Sequence, residues 1–427
     1  MPGNRTHVSR ERKEQIVELS DRYTTSEIAD ICEVAPRTVT RVLGLWRKSG
    51  DVVKVPDEPG RPRGLTGLDL ELHTSNMSQK IFITGATGYI GGSILHGLVQ
   101  KFPENVEITA LVRNQEKAAK VIAAHPHVKI AIGDFTSTEV IEKLAEESNI
   151  VIHTESDNLV PITAIIAGLS QRAAASFLIH TSGTALIADI APASYGEAPT
   201  KEWSDVADID TIRAFPDEGH LHRHVDKLIL PLAAQTNNKI RTAIVCPPDI
   251  YGVGTGTGNT QSFLVPLYAE VLGAAPAAGG FVVGRGENIK SLSHIRDVVE
   301  VYLLLAGAAL QDGGTADWGA DGFYFTATSR LVFPEFARAF VATAKRRGWL
   351  PPTTPDAVQS RSPEELKGLL GGLGAYMWGS NAISNADRAK KVFGWESKSP
   401  SWQETLEEDM EAAFKEARTD SLKWRSS

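Results

Sequence analysis

An α/β fold is predicted for this chain: a parallel sheet wound with helices on both faces, a smaller C-terminal cap, and a small all-α segment in front. Three observations predict it. From residue 80 onward short apolar runs alternate with helical stretches, the pattern of strands joined by crossover helices. At the first junction the apolar strand Lys80-Ile81-Phe82-Ile83 runs into the glycine turn Gly85-Ala86-Thr87-Gly88-Tyr89-Ile90-Gly91 and then a helix start. Ahead of residue 52, capped helical stretches stand apart from this pattern.

The glycine turn carries the first functional inference. Its first glycine permits a tight turn, the second lets backbone approach a phosphate, and the third lets the helix pack on the strand. The helix N-terminus offers free N–H groups and a positive dipole end to an anion. A dinucleotide pyrophosphate is the ligand that needs this arrangement, and a doubly wound Rossmann sheet is the fold that supplies it. The following strands are read at Val106–Val112, 128–132, 150–153, 177–180 and 243–246.

Strand ends refine the cofactor. The second strand closes on Arg113-Asn114, where NAD-binding folds usually place an acidic residue for the ribose hydroxyl. Arginine there can pair with a 2′-phosphate, so NADP is favoured and NAD is the alternative. After the third strand, Asp134 and Phe135 face the adenine. Thr154 and Ser156, after the fourth, converge on the same crevice.

Composition bounds the rest. The 427 residues are 42% hydrophobic and 22% charged, with a formal net charge of -8 and two cysteines, Cys32 and Cys246. This is globular composition for two or three domains, with no disulfide framework and no charge balance suited to coating nucleic acid. The start of the chain has no apolar signal core, and no apolar run reaches the ~20 residues a bilayer span needs. Cytoplasmic localisation and no membrane partner are expected. No His/Cys/Asp cluster has metal-ligand spacing, so no metal is expected.

The first 51 residues read as a helix-turn-helix. A helix is read from Arg10 to Tyr23, and Thr25-Ser26-Glu27 caps a second with Ile28, Ala29 and Ile31 inward. Pro36 opens a third, with Arg37, Thr38, Thr40 and Arg41 near its front. Gly60-Arg61-Pro62-Arg63 follows in a linker over 52–76. The run from Ser9 to Leu43, with that basic segment, resembles the N-terminal DNA-binding part of Tc1/mariner-type transposases. DNA contact through residues 9–63 is what the resemblance implies. Met77-Ser78-Gln79-Lys80 reads as a start of its own, so the first 76 residues are expected to be a fragment joined to a neighbouring gene.

From residue 79 to about 415 the chain resembles the extended short-chain dehydrogenase/reductase family, which includes nucleotide-sugar epimerases and dihydroflavonol reductases. The resemblance rests on the glycine turn, the strand ends and Cys246-Pro247-Pro248-Asp249-Ile250-Tyr251-Gly252. It also covers Leu292-Ser293-His294-Ile295-Arg296-Asp297 and Arg388-Ala389-Lys390-Lys391-Val392-Phe393-Gly394-Trp395. It implies a cofactor shell of Gly85, Thr87, Gly88, Tyr89, Ile90, Gly91, Arg113, Asp134, Phe135, Thr154, Lys227, Pro247 and Ile250. Ser182 fills the position that holds a substrate oxygen. His294 and Asp297 fall at positions that stabilise rather than react. The loop from Gly254 to Gly258 is expected over the substrate.

The family's proton-transfer unit is Tyr-x-x-x-Lys. In the run His220-Leu221-His222-Arg223-His224-Val225-Asp226-Lys227, Lys227 fits and Arg223 stands in the tyrosine position. Arginine cannot serve as a general base near neutral pH. Four alternatives follow: His222 or His224 exchanges the proton; Tyr195 or Tyr251 reaches in; the helix register is offset from this match; or cofactor binds without turnover. Ser182, Lys227, His222 and Tyr251 are the catalytic candidates.

The expected organisation is helix-turn-helix 1–51, linker 52–76, dinucleotide-binding domain 77–320 and cap 321–427, the cap interleaved with late sheet elements. The expected function is an NAD(P)-dependent oxidoreductase acting on a small carbonyl or alcohol, with a homodimer as its assembly. The alternative is a catalytically impaired NADP-binding regulator with an N-terminal DNA-binding module.

Overall fold

The computed structural model describes residues 10–20, 22–32, 34–49, 79–103, 106–367 and 373–417; the linker expected over 52–76 lies outside them. The chain divides into two units, Met1–Asn76 and Met77–Ser427.

The first unit holds helices Arg10–Leu19, Thr25–Ile31 and Pro36–Ser49. Their apolar faces meet through Ile16, Ile28, Ala29, Cys32, Val39, Val42 and Leu43. The second helix is capped by Thr24, one residue earlier than expected: its hydroxyl faces the Glu27 N–H while Glu27 returns to the Thr24 N–H, a reciprocal capping box. Ile31, expected inward, is exposed; Ile28, Ala29 and Cys32 form the packed face. Arg37, Thr40 and Arg41 lie exposed on the third helix.

The second unit is built on seven strands: β1 Gln79–Ile83, β2 Val106–Val112, β3 Lys129–Ile132, β4 Ile150–His153, β5 Ser176–Thr181, β6 Ile240–Cys246 and β7 Phe323–Phe325. Their spatial order is β3-β2-β1-β4-β5-β6-β7, and every neighbouring pair is parallel. Strands β4 and β5 are buried throughout, as a sheet covered on both faces requires. The order reverses between β1 and β4, and a crevice opens beyond their carboxyl ends.

Phe323–Phe325 was expected to begin the cap; it is instead the edge strand of the sheet. The cap has its own core, assembled from residues on both sides of that strand. Tyr268 stacks on Phe281 and meets Phe336 and Phe340 edge-on, at ring separations of 4.9, 5.1 and 5.0 Å. Leu264, Val283, Trp378, Trp402 and Met410 complete it. The cap thus draws on residues from Tyr251 onward, and a single boundary at residue 320 does not separate it from the sheet.

Two late motifs act as braces. The His294 ring caps helix Ile295–Leu310 by accepting from the Arg296 N–H, and Asp297 accepts from Ser397, Lys398 and Ser399. Helix Asp387–Phe393 ends on Gly394 at φ 62, a left-handed position that favours glycine, before the buried Trp395.

Candidate functional site

The crevice is shaped first by its glycines. Gly85 has φ +69, and a Cβ there would lie 2.1 Å from Thr154 Oγ1. A Cβ on Gly91 would lie 2.3 Å from the Gly85 carbonyl oxygen. The turn therefore admits no side chains, and Gly88 caps helix Tyr89–Lys101 without a side-chain acceptor of its own. The helix N-terminus is left to meet an anion. Beside the turn lies a cavity of about 300 Å³ lined by Gly85, Thr87, Arg113, Lys117, Asp134 and Phe135. Asp134 is held ionised by hydrogen bonds from Thr136, which lower its pKa. Side-chain-free backbone at the turn, cations at one end and a ring beside a carboxylate fit an adenine dinucleotide.

Other expected cofactor residues serve the walls. Thr154 donates to the Thr84 carbonyl, bracing the turn from below. The Tyr89 hydroxyl donates to the Gly252 carbonyl at 2.5 Å, so it pins a loop. Ile90 packs on the sheet core. Pro247 accepts from the Thr184 N–H, and Ile250 pairs with Ser293 in a short parallel strand contact. The loop expected over the substrate packs instead across the glycine turn. Asn259 N–H donates to the Thr87 carbonyl, Thr255 N–H donates to Ser93, and Gly256 rests on Gly92.

At the far end of the crevice β5 delivers Ser182, and the segment after β4 delivers Asp157. Helix Arg223–Ile229 starts opposite, capped by His222 in a left-handed conformation, φ 65. His222 Nδ1 lies 2.7 Å from Asp157 Oδ1, and Nε2 comes to within 3.0 Å of a Cβ built on Gly183. Burial opposes ionisation of Asp157, but hydrogen bonds from His222 and Ser156 outweigh it and lower its pKa. Ser182 Oγ and Asp226 Oδ2 are hydrogen-bonded at 2.7 Å, and both residues are buried. Behind them His180 stacks on His153, which faces Thr84 Oγ1 at 2.6 Å. Burial drives both imidazoles toward the neutral form, His153 to about 3.

Two catalytic candidates do not join this group. Lys227 is exposed and pairs with Asp217. Tyr251 turns into the second core and donates to the Pro400 carbonyl at 2.9 Å, where burial and the Asp297 charge push its pKa up to about 12. Arg223 is structural: its guanidinium donates to the Phe215 and Arg213 carbonyls. His224 clasps the Asp157 carbonyl, and Tyr195 packs against the second core.

The helix register explains these placements. A residue step turns a helix by about 100°, so burying Val225 and Ile229 also buries Asp226 and exposes Lys227. His222 and Asp226, four apart, share the crevice side, one residue before the Tyr-x-x-x-Lys match. The signal was present in the sequence: Asp226 sits beside the apolar positions of its own helix. Among the described residues no group of three or more His, Cys, Asp or Glu is placed to hold a metal ion, and no helix is long and apolar enough to cross a membrane.

Residues 77–168 match the NmrA-like family. The chain is 29% identical over 344 residues to oxidase ucsJ of an Acremonium species, covering 78% of this chain and 96% of the relative. It is 42% identical over 267 residues to an uncharacterized protein of Saccharomyces cerevisiae, covering 59% of this chain and 79% of the relative. Among solved structures, DesIV of Streptomyces venezuelae, a dTDP-glucose 4,6-dehydratase with NAD and TYD bound, superposes with a TM-score of 0.57. It is 13% identical, covers 80% of this chain and 98% of its own, and shares the fold. At 42% identity over most of the yeast relative's length, this chain belongs to that protein's family, its residues 77–168 carrying the NmrA-like pattern.

Proposed function

We propose that residues 77–427 form an NADP(H)-dependent oxidoreductase of the extended short-chain type, acting on a small carbonyl or alcohol. The observation that carries this reading is the convergence of Ser182 and the Asp157–His222 pair at one end of a glycine-walled dinucleotide crevice. The Acremonium relative, named an oxidase, supports redox chemistry. Arg113 and Lys117 on the cavity wall favour the phosphorylated cofactor.

The nicotinamide, when bound, supplies or accepts the hydride. The chain's own residues manage the substrate oxygen. Ser182 hydrogen-bonds it, and His222 exchanges the proton through Nε2, because Asp157 holds Nδ1 and so fixes the ring and its tautomer. Asp157–His222 takes the place of the family tyrosine, and Lys227 has no part in it. The test is NADPH oxidation against a panel of aldehydes and ketones, with NADPH binding followed by fluorescence. Tight binding with no turnover across the panel would sink the enzyme reading.

For the first unit, the exposed Arg37, Thr40 and Arg41 on one helix favour DNA contact. Full-length protein binding labelled duplex DNA with a salt-dependent affinity that Arg37→Ala and Arg41→Ala weaken would support it. Equal affinity in the variants would remove it.

A further inference from the structure

Asp226 is a fully buried carboxyl group with no cation hydrogen-bonded to it. Its Oδ2 meets the Ser182 hydroxyl, and its Oδ1 has no hydrogen-bond partner. The nearest ring nitrogen, His180 Nε2, is 3.8 Å away, and neither His180 nitrogen makes a hydrogen bond. The groups around it are His180 on β5, backed by His153 on β4, Cys246 at the end of β6, Asp157 after β4, and His222 and Arg223 at the start of its own helix. His180 and His153 are held neutral by burial and Asp157 is an anion; the His222 and Arg223 charges favour the carboxylate, but neither side chain hydrogen-bonds it, Arg223 donating to backbone carbonyls and His222 facing Asp157. A buried carboxylate without a hydrogen-bonded cation is costly, and burial shifts the group toward its protonated form.

The protonation state of Asp226 decides what Ser182 can do. A serine hydroxyl has one proton. Beside a carboxylate, that proton goes to Asp226 and Ser182 can only accept from a substrate. Beside a carboxylic acid, Ser182 accepts the acid's proton in a hydrogen bond and points its own at the substrate oxygen. Oxygen charge that develops during hydride transfer needs a donor, in whichever direction the reaction runs.

We propose that Asp226 acts as a neutral acid and a positioning residue: it donates to Ser182 and thereby turns the Ser182 hydroxyl toward the substrate oxygen. The proposal rests on the oxidoreductase reading above. No proton leaves Asp226 during turnover, and the proton exchanged with substrate remains with His222. Burial, opposed by the Ser182 hydrogen bond, brings the Asp226 titration up to about 6.

A positioning acid and a transferring base give different pH profiles. Ionisation of a positioning acid lowers kcat/KM for reduction and for oxidation alike. Ionisation of a base would raise oxidation while lowering reduction. The experiment uses the full chain and measures both directions, with aldehydes and ketones plus NADPH and the matching alcohols plus NADP. Wild type is compared with Asp226→Asn and Asp226→Leu, and infrared difference spectra follow the protonated carboxyl band below and above pH about 6. Asparagine keeps a permanent donor to Ser182; leucine removes it. The expected result is a carboxyl band absent from both variants and a shared alkaline loss in wild type. Asp226→Asn should stay active and lose that alkaline limb, while Asp226→Leu loses activity with NADPH affinity retained. Opposite limbs in the two directions that disappear in Asp226→Asn, or Asp226→Asn as inactive as Asp226→Leu, overturn the proposal and leave the oxidoreductase reading standing. No turnover on any substrate, with NADPH bound, overturns both.

Discussion

His222 Nδ1 rests 2.7 Å from Asp157 Oδ1, so an imidazole that opens its helix in a left-handed conformation is aimed by a carboxylate from the far side of the crevice. Replacing His222 with Gln keeps the bulk and removes proton exchange. General acid–base groups contribute about 10² to 10⁴-fold, so His222→Gln should lower kcat/KM by about that range and leave NADPH affinity unchanged. Asp157→Asn should cost less, since it loosens the ring without removing it. Steady-state kinetics beside a fluorescence titration of NADPH checks both.

Lys227 makes the opposite case. Its ammonium pairs with Asp217 and both side chains are about half exposed. Exposed pairs, screened by solvent, contribute little to stability. Lys227→Ala should therefore leave the melting temperature and NADPH affinity nearly unchanged. A large loss of NADPH affinity would return Lys227 to the cofactor shell and contradict the register found here.

How much was legible in the sequence follows from these two residues. The glycine turn, the β2 to β6 strands and the ligand end of the sheet are written in local patterns, because each strand is an apolar run and each turn needs its glycines. A helix register is not local in that sense. It was set by which side of Arg223–Ile229 meets the sheet, and a one-residue offset exchanged Lys227 for Asp226 at Ser182. The cap was harder still. Phe323–Phe325 and Phe281–Val283 are equally apolar triplets, and only long-range pairing sends the first to the main sheet and the second to the cap.

Cofactor choice is a test of the cavity wall. Arg113 and Lys117 line it beside Gly85, with no carboxylate at the end of β2. A charge-assisted hydrogen bond to phosphate contributes about 1.5–3 kcal/mol, which is about 10 to 150-fold in affinity. Arg113→Ala should weaken NADPH binding by about that factor and leave NADH binding nearly unchanged. Equal losses for both cofactors would show that Arg113 serves the wall and not the phosphate.

Stability should depend on pH through Asp409. Burial raises its pKa to about 7, against a hydrogen bond from the Gly252 N–H that favours the charged form. A carboxyl raised in the folded state binds more protons there than when unfolded. Its stabilising effect is complete below the unfolded value of 3.8 and is lost as pH rises toward about 7. Asp409→Asn removes that titration and keeps an acceptor for Gly252. The melting temperature of the variant relative to wild type should rise across this interval, and a difference independent of pH would refute the assignment.

The packing of Gly258 on the glycine turn yields the last expectation. A Cβ at Gly258 would lie 2.1 Å from the Thr87 carbonyl oxygen and 2.9 Å from its carbon, both backbone atoms that cannot step aside as a side chain tip does. Thr87 lies within the turn that must stay open to a pyrophosphate, and the neighbouring Asn259 N–H already holds its carbonyl. Gly258→Ala must push the loop away or distort the turn. Overpacking of this kind costs about 1–3 kcal/mol. If the loop moves, the melting temperature falls while NADPH affinity is kept. If the turn distorts, affinity falls as well. Because Tyr89 anchors the loop at Gly252, Thr255 ties it to Ser93, and Gln261 beyond the contact donates to the Ala412 carbonyl, the loop is held at both sides of the contact. The turn should then take the strain, so Gly258→Ala should weaken NADPH binding along with stability. Gly273→Ala, where an added Cβ meets nothing within 4 Å, should do neither.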